Sequence, residues 1–99
     1  MSITANSQLQ RSDQVSYEIA AGEAMVIHLQ TGVYYSLNEV GTVFWNLVDG
    51  WRSIADCARA IAREYDAPAE IIETDLIELA DQLYREGLLL EVGRKGGLG

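Results

Sequence analysis

The ten residues Gly32–Gly41, GVYYSLNEVG, constrain this chain more than any other stretch. Val33 to Leu37 reads as a strand, and Asn38 stands where a helix N-cap belongs. Its side-chain oxygen can accept one of the unpaired N–H groups of a first helical turn. Ahead of the strand, Gln30-Thr31-Gly32 suits a hairpin loop with glycine at positive φ. The second strand of a hairpin therefore runs into a helix with almost no linker, and the rest of the chain must pack around that joint.

Upstream, Val15 to Ile19 alternates Val15, Tyr17 and Ile19 against Ser16 and Glu18, the pattern of a half-buried strand. After a turn at residues 20–23, Ala24 to Leu29 places Met25, Ile27 and Leu29 on one face and Ala24, Val26 and His28 on the other. With Val33–Leu37 this makes a three-stranded antiparallel meander. His28 is the only histidine. No motif supplies it with a nucleophile or carboxylate partner, so a partly exposed strand histidine is expected rather than a catalyst. Residues 1–14 lack periodicity and are expected to form a flexible N-terminal arm.

Downstream, Val40, Phe44, Leu47 and Val48 recur at helical spacing until Asp49-Gly50 ends the first helix. Gly41 is the small residue on that face, suited to close approach of strand and helix. Ser53 and Asp56 resemble a capping box at the start of a second helix. Ile54, Cys57, Ala58, Ile61, Ala62 and Tyr65 then form one apolar stripe. Asp66-Ala67-Pro68 breaks that helix and opens a third, which runs to about Glu86 and stops at Gly87. Its core stripe is Ile72, Leu76, Leu79 and Leu83. Ile77, Ala80 and Tyr84 widen the apolar arc on one flank and Ile71 lies on the other, a breadth that leaves part of it to line a groove. Trp45 and Trp51 are expected to serve packing. Leu88–Leu90 is expected to add a short last strand, and residues 93–99 to form a flexible tail. Strands followed by three helices with tight turns define an α+β winged helix-turn-helix fold in a single domain over residues 15–92.

Composition then removes whole classes of function. Forty-eight per cent of the 99 residues are apolar, too many for a disordered chain. No apolar run approaches the roughly 18–20 residues of a membrane span, and the polar N-terminus lacks the apolar core of a secretory signal, so a cytoplasmic location is expected. Fifteen acidic against seven basic side chains give a net charge of −8, which disfavours nucleic acid and anionic membranes. The lone Cys57 forms no internal disulfide or thiolate cluster and is expected to be a small core residue. There is no phosphate loop, HExxH, CxxC or GxSxG and no cluster of titratable groups at metal spacing. No enzyme, cofactor, catalytic residue or metal ligand is therefore expected.

A winged helix-turn-helix outline raises DNA binding as an alternative. The third helix, in the recognition position, carries Glu70, Glu73, Asp75, Glu78, Asp81 and Glu86 against the single cation Arg85, and would repel a phosphate backbone. A second alternative is a structural subunit of a larger enzyme complex.

GVYYSLNEVG, FWNLVDG, SIADCARAIAREY and DLIELADQLYREGLL, in that order, resemble the PqqD-like family. These are the recognition domains of pathways that modify ribosomally made peptides. The resemblance covers about residues 15–92. It implies a small winged-helix domain that binds the leader segment of a precursor peptide and delivers it to modifying enzymes. It further implies that the leader adds as a strand beside the third strand, at Val33, Tyr34 and Tyr35, in a groove closed by Ile72, Asp75, Leu76 and Leu79 of the third helix, with Ile77 as a further candidate. The segment MVIHLQTGVYYSLNEVG is closer to the stand-alone lasso-peptide type, whose partners would be a precursor leader, a leader protease and an ATP-dependent cyclase. Independently of the resemblance, a meander has two open edges, and the Val33–Leu37 edge carries no Pro, Lys or Arg to guard it.

Overall fold

The structure is a computed structural model and describes residues 3–92. The expected flexible tail at residues 93–99 lies outside the described residues. Eight elements follow in order: β1 (Leu9–Arg11), β2 (Val15–Ala20), β3 (Glu23–His28), β4 (Tyr34–Leu37), α1 (Glu39–Leu47), α2 (Ile54–Tyr65), α3 (Ala69–Arg85) and β5 (Leu89–Glu91). The expected meander is β2-β3-β4, antiparallel throughout. Three helices follow it, as the winged helix-turn-helix reading requires.

Cross-strand partners share a face. The pairs Tyr17↔Val26, Val26↔Tyr35 and Ala24↔Leu37 therefore define an inner surface, and Met25↔Ser36 and Ile27↔Tyr34 an outer one. Ala24, Val26 and Leu37 are buried inside with Phe44 and Trp45 of α1, whereas Met25, Ile27 and Tyr34 are exposed. Tyr17 lies at the margin and meets Trp45 edge to face, ring centroids 5.5 Å apart. Of the two tryptophans only Trp45 serves packing; Trp51 is 80% exposed. A loop position beyond the reach of the core leaves that ring in water.

His28 is buried at 8% exposure, not partly exposed as its strand position suggested. Its Nδ1 accepts from the backbone N–H groups of Gln30 and Thr31, at 3.2 and 3.4 Å, and so organises the β3–β4 loop. The ring also lies beneath Gly87: a Cβ there would come within 3.3 Å of Nε2. Gly87 has φ of 77°, where any other residue would be strained.

The joint between sheet and helices is built as the sequence implied. Asn38 Oδ1 accepts from the Gly41 N–H at 2.8 Å and caps α1. Thr42, one turn in, is buried and couples the helix to the sheet. Its hydroxyl accepts from the Ala24 N–H at 2.8 Å and donates to the Leu37 carbonyl at 3.3 Å, standing between two groups that would otherwise pair across β3 and β4. Thr42→Val keeps the shape and orphans both. We expect it to lower unfolding free energy by about 1–3 kcal/mol in urea denaturation, with Thr42→Ser recovering most of the loss.

At α2 the capping box is complete: Ser53 Oγ accepts from the Asp56 N–H and Asp56 Oδ2 from the Ser53 N–H, both at 3.1 Å. The Ser53 backbone N–H holds the exposed Asp56 carboxyl below its ordinary range. Its folded value is depressed, so this contribution is present at neutral pH and is lost as pH falls through that lowered value.

The segment expected to be a flexible arm contains a strand. β1 pairs with β5 in a separate two-stranded sheet, Leu9 opposite Glu91 and Arg11 opposite Leu89. Ile3, Ser7 and Leu9 are buried. The Ile54 and Ala55 N–H groups, orphans of the first turn of α2, donate to the carbonyls of Ser7 (3.1 Å) and Ala5 (2.9 Å). The Gly50 N–H donates to the Leu9 carbonyl at 2.8 Å. Helix completion and apolar burial together hold a segment that has no periodicity of its own.

Candidate functional site

Among the described residues, sheet order leaves β4 paired on one side only, with β3. Which backbone groups face the vacant side follows from the ladder. In an antiparallel pair, residues alternate between exchanging hydrogen bonds and pointing away. The His28 N–H donates to the Val33 carbonyl at 2.8 Å and the Ala24 N–H is directed to Thr42 on the β4 side. Hence Val33, Tyr35 and Leu37 face β3, while the N–H and C=O groups of Tyr34 and Ser36 point outward. Two donors and two acceptors stand along a short edge.

Next to the C-terminal half of that edge lies a groove of about 380 Å³ between the β4–α1 joint and α3. Ser36, Leu37, Asn38, Val40 and Gly41 line one wall and Ile72, Asp75, Leu76, Glu78 and Leu79 the other. Ile72, Leu76 and Leu79 follow i, i+4, i+7 spacing and form one apolar row on α3. Asp75 and Glu78 are exposed and form the lip above it. Gly41 brings α1 close to α3: a Cβ on it would stand 3.3 Å from Leu79 Cδ2 and 3.3 Å from Asn38 Oδ1.

The structure gathers Ile72, Asp75, Leu76 and Leu79, the helix residues that the resemblance implied, around one groove. It does not bring the side chains of Val33, Tyr34, Tyr35 or Ile77 there. Tyr34 lies on the outer sheet face, 63% exposed, and only its backbone faces the vacant edge. Tyr35 and Ile77 are half-buried against the core. Sequence reasoning missed Ser36, Leu37, Asn38, Val40, Gly41 and Glu78. Five of them belong to the stretch already singled out as the joint, but which end of the strand α3 crosses is a tertiary fact. Glu78 follows Asp75 by one helical turn and was legible on that ground.

The titratable side chains lining the groove are Asp75 and Glu78. Burial pushes the Cys57 thiol up to about 11, so it stays protonated at neutral pH, and the side chain belongs to the core. Among the described residues, no group of three or more His, Cys, Asp or Glu side chains is placed to hold a metal ion, and no helix is long and apolar enough to cross a membrane. What the site offers is unpaired backbone beside an apolar cleft.

Such a domain, with a sheet edge left open among the described residues and flanked by a helical groove, belongs to the class of small winged-helix modules. Within that class its sequence is specific. The family model described as Coenzyme PQQ synthesis protein D (PqqD) matches residues 23–89, and the chain belongs to this family. It is 34% identical over 90 residues to the PqqA binding protein of Xanthomonas oryzae pv. oryzae (strain PXO99A), covering 89% of this chain and 96% of that protein. It is 43% identical over 53 residues to the PqqA binding protein of Xanthomonas euvesicatoria pv. vesicatoria (strain 85-10). That match spans 54% of this chain and only 58% of the relative's length. Among solved structures, TbiB1 in complex with the TbiA(beta) leader peptide is similar at a TM-score of 0.72 and 29% identity, over 91% of this chain and 99% of that one. Lasso peptide synthetase B1 complexed with the leader peptide shares the fold at a TM-score of 0.69 and 24% identity, over 84% and 98% of the two chains.

Proposed function

We propose that this chain is a non-catalytic recognition module that binds the leader segment of a ribosomally synthesised precursor peptide by strand addition to β4 and delivers it to modifying enzymes. The observation that carries the reading is the outward-facing backbone of Tyr34 and Ser36 beside the α3 groove. Family membership supports it, as do the leader peptides named with the two similar structures. Tyr34 and Ser36 contribute backbone to the edge, Val33 and Tyr35 hold that strand to β3, and Ile72, Asp75, Leu76 and Leu79 contribute side chains. Ile77 supports α3 from the core side.

Magnitudes divide the work between the two parts. Four added backbone hydrogen bonds are worth roughly 4 kcal/mol net, and ordering a flexible leader costs about 2–5 kcal/mol. The ladder alone does not hold the peptide. Two or three apolar anchors, at about 1.5–3 kcal/mol each, raise affinity to the micromolar range. The groove therefore sets which peptide is chosen, and the edge sets how it lies.

The β3–β4 segment favours lasso-peptide biosynthesis as the pathway, with a leader protease and an ATP-dependent cyclase as the enzymes served, working in the cytoplasm. Isothermal titration against a synthetic peptide spanning the leader encoded beside this gene tests the reading. A micromolar dissociation constant that persists at high salt is expected, where a DNA-binding protein would lose affinity steeply. No heat and no spectral change at high micromolar peptide would contradict it.

A further inference from the structure

We infer that the groove selects a leader segment carrying a basic side chain next to its apolar anchor, with Asp75 and Glu78 as the specificity-determining pair. The inference rests on the strand-addition reading above and concerns what the bound strand must look like.

The groove has a stratified wall. Ile72, Leu76 and Leu79 form its apolar row, and Asp75 and Glu78 form its lip, each beside one member of that row in sequence. Its ten lining residues include two carboxylates and no cation. The ion pairs among the described residues occupy Asp49, Asp56 and Asp81 with Arg52, Arg59 and Arg85, and leave the lip untouched. A strand entering the groove therefore meets two negative charges that no arginine of the described residues answers.

Asp75 and Glu78 are one helical turn apart, with Cβ atoms about 5–6 Å from each other. Alternate side chains of an extended strand are about 6.5–7 Å apart, so successive same-face positions of a peptide match the pitch of the α3 wall. An aliphatic side chain directed at Leu76 and Leu79 leaves a neighbouring Lys or Arg free to lay its methylene stem over the apolar row. Its charged head then reaches the carboxylate lip. A Glu or Asp at the same place would face like charge on a half-enclosed surface. The lip thus admits basic segments and rejects acidic ones, a discrimination that the apolar floor cannot make.

The test is a peptide-display selection on the full chain with random twelve-residue peptides, run in parallel on the Asp75→Asn, Glu78→Gln double variant. Both substitutions fall on exposed positions and preserve shape. Peptides retained by the unsubstituted chain are expected to carry Lys or Arg within two residues of an aliphatic side chain. The double variant is expected to keep the aliphatic preference and lose the basic one. For one selected peptide, the dissociation constant should rise roughly threefold to tenfold in the double variant at low salt, and the difference should shrink at 0.5 M salt. Selected peptides that are neutral or acidic beside the anchor, or a basic preference unchanged in the double variant, would overturn the inference while leaving strand addition intact. A selection that retains no peptide would overturn both.

Discussion

Tyr34→Pro is expected to weaken leader binding about tenfold or more while the domain stays folded. The Tyr34 N–H points away from β3, so proline removes no bond within the meander, and proline is tolerated on an edge strand where the donor faces outward. What it removes is a donor to the incoming strand, worth about 0.5–1.5 kcal/mol, or roughly twofold to twelvefold in affinity. The pyrrolidine ring also stands in the path of the added chain. Two controls isolate the cause. Tyr34→Ala should leave affinity nearly unchanged, because that side chain lies on the outer face, away from the groove. Ile19→Pro alters the other free edge, on β2, where by the same alternation the Ile19 N–H also faces outward. It should leave binding intact if β4 is the docking edge. Titration calorimetry on the three variants, each checked for its fold by circular dichroism, gives the answer.

Removing residues 1–12 is expected to cost about 4 kcal/mol or more in unfolding free energy, a large share of the 5–15 kcal/mol typical of a small domain. Burial of Ile3 and Leu9 accounts for about 1.5–3 kcal/mol each. The deletion also strips the Ser7 and Ala5 carbonyls from the first turn of α2 and leaves β5 unpaired. Chemical denaturation of a chain beginning at Asp13 after an initiator methionine measures the loss. A midpoint unchanged from the full chain would mean that the segment adds nothing to stability.

These two expectations sit on opposite sides of what could be read from the sequence. The meander, the Asn38 cap, the Ser53–Asp56 box and the α3 stripe are written in local spacing, and the structure places them as the spacing implied, except that on α3 Ala80 is fully buried and Leu79, expected in the core stripe, is only half-buried at the groove. β1 is not written that way. It has three residues, and its partner β5 lies at the far end of the described chain, so neither alternation nor capping announces it. His28 was misread for a related reason. Its position on the strand was legible, but the acceptor role toward the Gln30 and Thr31 N–H groups depends on how the loop folds back.

The candidate site divides along the same line. Ile72, Leu76 and Leu79 of its helical wall recur at helical spacing, and it is the resemblance that assigns them to a groove rather than to the core alone. Its opposite wall, from Ser36 to Gly41, depends on where α3 crosses the sheet, and the resemblance directed attention to the start of the strand instead of its end. Of Val33, Tyr34 and Tyr35, only Tyr34 turns its backbone groups to the vacant edge; the other two bond to β3.

Amide hydrogen exchange tests the strand-addition claim most directly. In the free chain the Tyr34 and Ser36 amides have no ladder partner among the described residues and should exchange quickly, while Val26 and Tyr35 are held within the meander. With saturating leader peptide, exchange at Tyr34 and Ser36 is expected to slow by about tenfold or more, with Ile19 on the opposite edge unaffected. A peptide that binds while both β4 amides keep exchanging at their free rates would contradict the account.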